Sequence, residues 1–345
     1  MFRRGLGIVL TITLVTLLII ALNSRPSAVN PPSIAETGTR PYSIALLGDV
    51  PYTKLQLTQF PRLVDQVNAD PDIELVGHLG NIKDSSRPCS DAYFERIQSE
   101  FERFDKPLVY TPGDNEWADC HKPKNGSFDP EDRLAQLRQT FFEFPNTPLA
   151  SRTSGYQSYG AEGFPENVRF GLGGVTFGAI HLVGAKNGLE KWTDQDSVGK
   201  RQRAEVEART KAAVQVVLQT FTVARNTDDR AVVFFTQADM FDPESASRKK
   251  GQSSPYGPVV AALAKESAAF PGPVYLFNGH SQVFRTDRPL SGDAKWPEFY
   301  GVAATSNLRR VTVEGGAQAK SFVKVRVDLR DAEVLSIQRV PLAYS

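Results

Sequence analysis

The sequence has few cysteines and histidines, no excess of charge of one sign and no nucleic-acid-binding motif. Its 345 residues include two cysteines and four histidines, and 40 basic residues face 39 acidic ones, for a formal net charge of +1. Such a balance creates no overall field that would attract nucleic acid or an anionic membrane surface. No basic arm, zinc finger or aromatic–basic RNA-binding motif is present, so the sequence gives no nucleic-acid signal. It also makes no prediction of an oligomeric state.

A long apolar run lies near the N-terminus. After Arg3 and Arg4, residues 5–22 carry no charge and are rich in Leu, Ile and Val. About 18 apolar residues reach the lower limit for spanning a bilayer and exceed the usual core of a signal peptide. Residues 1–23 are therefore predicted to be either a signal anchor, which binds the membrane as a helix, or a cleaved signal peptide. The preceding arginines favour an extracytoplasmic location for the rest, either membrane-anchored, periplasmic or secreted.

The remaining chain divides into a linker and one α/β domain. Residues 24–40 are rich in Pro, Ser and Thr, which is typical of a flexible linker, and residues 41–345 form the predicted domain. Glycine at 173 and 174 predicts a hairpin over 168–184. The predicted strands are 43–48, 73–80, 107–114, 231–239, 273–281 and 323–329, and the predicted helices are 56–69, 91–104, 131–144 and 200–225.

Polar side chains follow five of these strands. In α/β sheets, ligands bind beyond the carboxyl ends of the strands, so these residues are the candidates for a shared site. They are Asp49, Asn81, Asp114, Gln237 and His280.

The segments around these residues resemble motifs of the calcineurin-like metallophosphoesterases. The resemblance covers about residues 43–330 and is closest to a bacterial branch with Gly-Asp-x-Pro-Tyr, Gly-Asp-Ile-Lys and Pro-Gly-Asp-Asn-Glu-Trp-x-Asp-Cys motifs. It implies a β-sandwich of mixed sheets flanked by helices, and hydrolysis of phosphate esters at one or two divalent ions of Mn, Fe or Zn. The segments are GDVPY (48–52), GNIKDSS (80–86), PGDNEWADC (112–120), TQAD (236–239) and NGHSQVF (278–284).

The resemblance also implies roles for individual residues. Asn115 and Glu116 occupy the positions of the catalytic His and of the acidic residue after it. Lys83 and Arg285 are candidate contacts to a substrate phosphate, because a phosphate needs donors beyond the metals. The candidate metal positions are Asp49, Asn81, Asp114, Gln237, His280 and Gln282.

Several of these positions depart from the family pattern. Asn81 stands where a bridging Asp belongs, and Gln237 and Gln282 stand where the family has His. An asparagine offers one neutral carbonyl oxygen, whereas a bridging carboxylate offers two oxygens and a negative charge. The sequence therefore predicts an extracytoplasmic, metal-dependent hydrolase of a small phosphate ester, whose activity the altered positions could reduce or abolish. The alternative is a degenerate, non-catalytic binding module with the same fold.

The two cysteines lie just after two of the motifs. If the motifs meet, Cys89 and Cys120 come close enough to bridge, and export to an oxidising compartment favours a disulfide over two free thiols. Closing a loop of about 31 residues would contribute roughly 3.5–4 kcal/mol of stability on the chain-entropy view.

Overall fold

The computed structural model describes residues 40–143, 147–193, 195–243 and 254–343. The strands are β1 (Tyr42–Leu47), β2 (Ile73–His78), β3 (Leu108–Tyr110), β4 (Ser154–Tyr159), β5 (Phe164–Leu172), β6 (Val175–Ala179), β7 (Ala231–Thr236), β8 (Val274–Asn278), β9 (Arg285–Asp287), β10 (Leu308–Thr312), β11 (Ser321–Val327) and β12 (Leu335–Pro341). The helices are α1 (Lys54–Asn68), α2 (Asp91–Phe101), α3 (Pro130–Phe142), α4 (Thr147–Arg152), α5 (Lys200–Asn226), α6 (Gly257–Ala269) and α7 (Trp296–Tyr300).

The strands of these ranges form two mixed sheets. Sheet A has the order β12-β11-β1-β2-β3, and sheet B has the order β4-β5-β6-β7-β8-β10-β9. The strands β1, β2 and β3 run parallel in sheet A, as do β6, β7, β8 and β10 in sheet B, and the remaining pairs are antiparallel. The predicted fold class, an α/β sandwich of mixed sheets flanked by helices, is confirmed.

The core is arranged in layers. Side chains of the two sheets pack against each other in one cluster, for example Leu46 of β1 with Phe235 and Phe277 of sheet B. A second cluster buries the apolar faces of α5 and α6 against the outer face of sheet B. A third does the same for α1 and α2 against sheet A. Because helices cover both outer faces, the polar residues at the strand ends are left at the rim of the sandwich.

The sequence predicted the central strands better than the flanking ones. The hairpin is confirmed, since β5 and β6 pair as neighbours across Gly173 and Gly174. The prediction did not include β4, β9, β10, β12, α4, α6 or α7. Within the described ranges no helix is both long and apolar enough to cross a bilayer. The predicted anchor at 5–22 lies outside those ranges.

The start of α1 shows how local sequence supports the rim. Thr53 accepts a hydrogen bond from the backbone of Gln56, and the Gln56 side chain accepts one from the backbone of Thr53, which completes a capping box. The Gln56 side-chain amide also donates to the carbonyl oxygen of Gly316 at 3.0 Å. The helix start is thereby tied to the loop after β10.

Candidate functional site

The five residues predicted at the strand ends come together at one rim of the sandwich. Asp49 follows β1, Asn81 follows β2, Asp114 follows β3, Gln237 follows β7 and His280 follows β8. Each is connected to at least one of the others by a contact described below. The two sheets therefore contribute to a single site, as expected for the carboxyl ends of parallel strands.

The carboxylate of Asp49 is surrounded by hydrogen-bond donors. Its Oδ1 accepts from Asn81 Nδ2 at 3.0 Å and from the Tyr52 hydroxyl at 3.2 Å, and its Oδ2 accepts from the His280 backbone N–H at 2.8 Å. Asn81 Oδ1 in turn accepts from the backbone N–H of Asn115 at 3.2 Å. That bond fixes the orientation of the Asn81 amide, so its NH2 group faces Asp49.

The carboxylate of Asp114 has a similar environment. Its Oδ1 accepts from Gln237 Nε2 at 3.0 Å, and its Oδ2 lies 3.5 Å from His280 Nε2. Gln237 Oε1 accepts from the backbone N–H of Gly184 at 2.7 Å. The Gln237 amide is therefore also held with its NH2 group toward a carboxylate.

The charges of the site favour an imidazolium–carboxylate pair. Burial opposes the charged form of His280, but the carboxylate of Asp114 attracts it and the pKa of His280 rises to about 9. Burial raises the pKa of Asp114, but the attraction to His280 and the hydrogen bonds to the carboxylate together outweigh burial and lower the pKa. Burial raises the pKa of Asp49 to about 6, against the opposing attraction of His280.

Four site residues have left-handed backbone conformations, which residues other than glycine seldom adopt. The φ angles are 52° at Asp49, 55° at Asn81, 68° at His280 and 60° at Gln282. The Gln282 side chain lies beside Gly316, whose N–H donates to the carbonyl oxygen of Asp49. Strained residues of this kind persist where the surrounding structure holds them, and they cluster at functional sites.

The third motif serves as a scaffold. Glu116 is fully buried, and its Oε1 accepts from the backbone N–H groups of Asn81 and Gly113 and from the Tyr110 hydroxyl. Burial raises the pKa of Glu116 to about 7. Its contacts place Glu116 behind the strand-end residues, where it fixes two loops.

Asn115 is engaged in the same scaffold. Its side-chain amide donates to the Tyr52 hydroxyl at 2.9 Å and to the carbonyl oxygen of Lys83 at 3.1 Å. The predicted catalytic roles of Asn115 and Glu116 remain predictions.

The two predicted phosphate contacts lie in different surroundings. Lys83 is fully buried, and its ammonium donates to the carbonyl oxygens of Asp84 and Asn115 and to Asn125 Oδ1. These bonds engage the three donors of Lys83 and brace a loop. Its predicted contact with a substrate phosphate stays a prediction. Arg285 is exposed on β9 and forms no part of the network described above.

Cys89 and Cys120 are joined in a disulfide, with 5.9 Å between their Cα atoms. The bond closes the loop that follows the second motif onto the end of the third motif. It therefore lies next to the backbone that positions Asp114 and Asn115.

The donor set does not fit a two-metal centre. Among the described residues, no group of three or more His, Cys, Asp or Glu side chains is arranged to hold a metal ion. Asn81 and Gln237 present N–H donors to the carboxylates, and a donor hydrogen cannot serve as a metal ligand. The Asp49 and Asp114 oxygens that a cation would need accept hydrogen bonds or face an imidazole. This arrangement disfavours the predicted divalent-metal cofactor.

The sequence prediction missed three parts of the site. Tyr52 lies in the first motif, but its hydroxyl was not expected to connect Asp49 and Asn115. Buried Arg310 donates to Asp239 at 2.6 Å, and Asp239 accepts from the Ser281 hydroxyl, which ties the His280 loop to the loop after β7. The third part is the turn Gly184–Gly188, described below. In the sequence, the two glycines that flank Ala-Lys-Asn in GAKNG (184–188) could have indicated this turn.

Comparisons with known proteins give distant structural likenesses. No family model matches the chain, and no curated protein matches it. GAP50 of Plasmodium, an anchor in the inner membrane complex, is 11% identical with a TM-score of 0.45, covering 88% of this chain and 89% of that one.

Two enzymes are similar to the same extent. The purple acid phosphatase PPD1 of yellow lupin seeds is 12% identical with a TM-score of 0.43, covering 88% of this chain and 54% of that one. The NAD nucleotidase of Haemophilus influenzae is 11% identical with a TM-score of 0.44, covering 88% of this chain and 50% of that one. The chain thus spans about half the length of these two enzymes. At such identities and TM-scores, these likenesses assign no activity or ligand to this chain.

Proposed function

We propose that this chain is a non-catalytic protein with a metallophosphoesterase-like fold, which binds a small ligand at the strand-end site. The observation that carries the proposal is the orientation of two amides. The NH2 groups of Asn81 and Gln237 point at the carboxylates of Asp49 and Asp114, at 3.0 Å in each case. Each amide oxygen is held by a backbone N–H, so neither amide can turn its oxygen toward a cation without losing a hydrogen bond.

The balance of charge supports the same proposal. Two divalent ions need several anionic oxygens close by, and carboxylates are the usual source. At this rim the carboxylates of Asp49 and Asp114 already face two amides and the charged imidazole of His280. Glu116 accepts from backbone and tyrosine groups and adds no oxygen to the site. Two amide donors and one imidazolium thus offset part of the negative charge of the two carboxylates.

We further propose that the protein acts outside the cytoplasm. The disulfide between Cys89 and Cys120 is typical of an oxidising compartment. The apolar run at 5–22, with arginines before it, supports export of the domain. Whether that run anchors the chain or is cleaved is decided by comparing the N-terminal residue of the mature protein with Met1.

A second candidate function is a hydrolase of phosphate esters with a single divalent cation. It is favoured by the convergence of Asp49, Asp114 and His280, and by the strained backbone at positions 49 and 280. Both functions use the same rim and differ in whether a metal ion binds there. Metal content therefore separates them.

The experiment measures metal content and hydrolysis of an aryl phosphate by the full-length protein after incubation with Mn, Fe or Zn. We expect the wild type to hold no stoichiometric metal and to show no hydrolysis above background. The variant Asn81→Asp/Gln237→His replaces both amide donors by ligands and is expected to gain metal. Asn226→Asp makes the same Asn-to-Asp change at an exposed position of α5 and serves as the matched control.

Two results would decide against the proposal or its explanation. About one metal ion per wild-type chain, with hydrolysis that Asp114→Asn abolishes, would establish the hydrolase instead. Failure of the double variant to gain metal would show that the amides are not what disfavours a cation.

A further inference from the structure

The turn Gly184–Gly188 has a backbone conformation that its sequence alone disfavours. Ala185, Lys186 and Asn187 all have left-handed φ and ψ angles, at 48° and 41°, 57° and 46°, and 58° and 33°. Non-glycine residues usually adopt this conformation singly, because Cβ crowds the following carbonyl oxygen. Three in succession require a surrounding structure that holds them in place.

Buried groups from α5, and Tyr256 just before α6, hold this turn. Arg209 of α5 is fully buried and donates to Asn187 Oδ1 at 2.6 Å and to the Asn187 carbonyl oxygen at 2.9 Å. The Tyr256 hydroxyl, just before α6, accepts from the Asn187 N–H and donates to the carbonyl oxygen of Val183. Gln202 donates to the carbonyl oxygen of Gly188 at 2.6 Å. The turn is therefore rigid as well as strained.

The first residue of the turn lies against the strand-end site. The N–H of Gly184 donates to Gln237, and a Cβ at this position would lie 2.0 Å from His280 Nε2 and 2.6 Å from Asp114 Oδ2. Only glycine fits there. The left-handed residues continue from this point, so the turn borders the His280–Asp114 pair.

Lys186 is the central residue of the turn and the one that carries charge. It is half-buried, and its side chain forms no hydrogen bond or ion pair with any residue in the described ranges. A cation held on a rigid backbone beside a site, without a protein partner, is suited to binding an anion from solvent. The neighbouring carboxylates do not take this role, since Asp114 is engaged with Gln237 and His280.

We infer that the turn Gly184–Gly188 is a ligand-binding lip of the site and that Lys186 binds an anionic group of the ligand, such as a phosphate. This inference rests on the proposed binding function and gives its ligand a chemical class. The turn holds the backbone of Lys186, so the cost of ordering that segment is met in the folded protein before the ligand arrives.

The test measures binding of phenyl phosphate, with inorganic phosphate as a second probe, to the full-length protein by calorimetry. We expect Lys186→Ala to weaken binding about tenfold or more, and Lys186→Arg, which keeps the charge, to retain most of the affinity. Lys191→Ala removes an exposed lysine five residues away and should leave affinity unchanged. Binding of phenyl phosphate but not inorganic phosphate would show that the ligand is an ester.

Equal affinity of wild type and Lys186→Ala would overturn the inference, as would failure of the wild type to bind either probe at millimolar concentration. Thermal unfolding without ligand checks that the variants fold. Affinity of the Lys186 variants tests this inference, whereas metal content and hydrolysis test the proposed function, so the two can fail separately.

Discussion

The two sheets contribute unlike halves to the site. The half from sheet A consists of Asp49, Asn81 and Asp114 with Glu116 behind them, and none of these residues is more than 6% exposed. The half from sheet B contains fully buried Gln237, but also His280, whose side chain is 23% exposed, and the half-buried Gln282 and Lys186. The sheet A half is thus a closed scaffold, and the sheet B half is the side that a ligand can reach.

The comparison has a physical basis in hydrogen bonding. A buried polar group without a partner costs more than a hydrogen bond contributes, which favours internal pairing in the sheet A half. Glu116 Oε2 is the exception there, since it is buried without a hydrogen-bond partner. Groups near the surface can exchange protein partners for water or ligand. Stability is therefore expected to depend on the first half, and binding on the second.

The largest expected effect follows from removing Glu116. Glu116→Ala leaves the N–H groups of Asn81 and Gly113 and the Tyr110 hydroxyl without their acceptor. We expect a loss of about 5 kcal/mol in the free energy of unfolding, at roughly 1–3 kcal/mol for each buried donor. Urea unfolding measures it, with Glu95→Ala on the exposed face of α2 as the control. A loss below about 1 kcal/mol would mean that the sheet A half is not a scaffold.

A smaller effect is expected at Glu166, a buried carboxylate of sheet B away from the strand ends. Burial raises its pKa, but hydrogen bonds from His181 and Arg138 outweigh burial and lower it to about 2. Because the folded pKa lies below the unfolded one of 4.5, its stabilisation is present above pH 4.5 and is lost as the pH falls toward 2. The expected decrease in the free energy of unfolding is about 3 kcal/mol.

Glu166→Gln is the matched variant for this pH dependence. Unfolding of both proteins is measured between about pH 5 and pH 2.5, and the difference between them should shrink as the pH falls. A difference that does not change with pH would rule out an ionised Glu166 in the folded protein. A difference that shrinks as the pH falls would show that a buried carboxylate of sheet B is also stabilised by its hydrogen bonds. Such stabilisation would then depend on burial and not on which sheet carries the residue.

The smallest effect is expected at Gln282 in the reachable half. Gln282→Ala should change the free energy of unfolding by less than about 1 kcal/mol, because half-buried positions lose few contacts. Urea unfolding beside Glu116→Ala gives the direct comparison. A loss as large as that of Glu116→Ala would erase the distinction between the two halves.

Much of the site could be predicted from the sequence, because its residues follow strands. An apolar run that ends in Gly-Asp or Gly-Asn marks both a buried strand and the polar residue beyond it, as at Asp49 and Asn81. Parallel strands place their carboxyl ends at the same edge of a sheet. The convergence of five residues that are distant in the chain could therefore be predicted. The cysteine pairing followed from the same convergence.

The roles of side chains were harder to predict. Lys83 was expected to meet a phosphate, yet burial directs its ammonium to Asn115 and Asp84. The amides of Asn81 and Gln237 were expected to be poor ligands. Which of their ends faces the carboxylates depends on two backbone N–H groups, at Asn115 and Gly184, that are distant in the chain.

The sequence by itself determined the strands, the order of the polar residues that follow them and hence the place of the site. These features depend on hydrophobic pattern and turn chemistry, which act over a few neighbouring residues. The tertiary structure decided the direction of each donor and the left-handed turn at Lys186. Local backbone preference opposes that turn, and buried Arg209 of α5 stabilises it through two hydrogen bonds to Asn187. An unfavourable backbone conformation persists only where distant groups supply its hydrogen bonds.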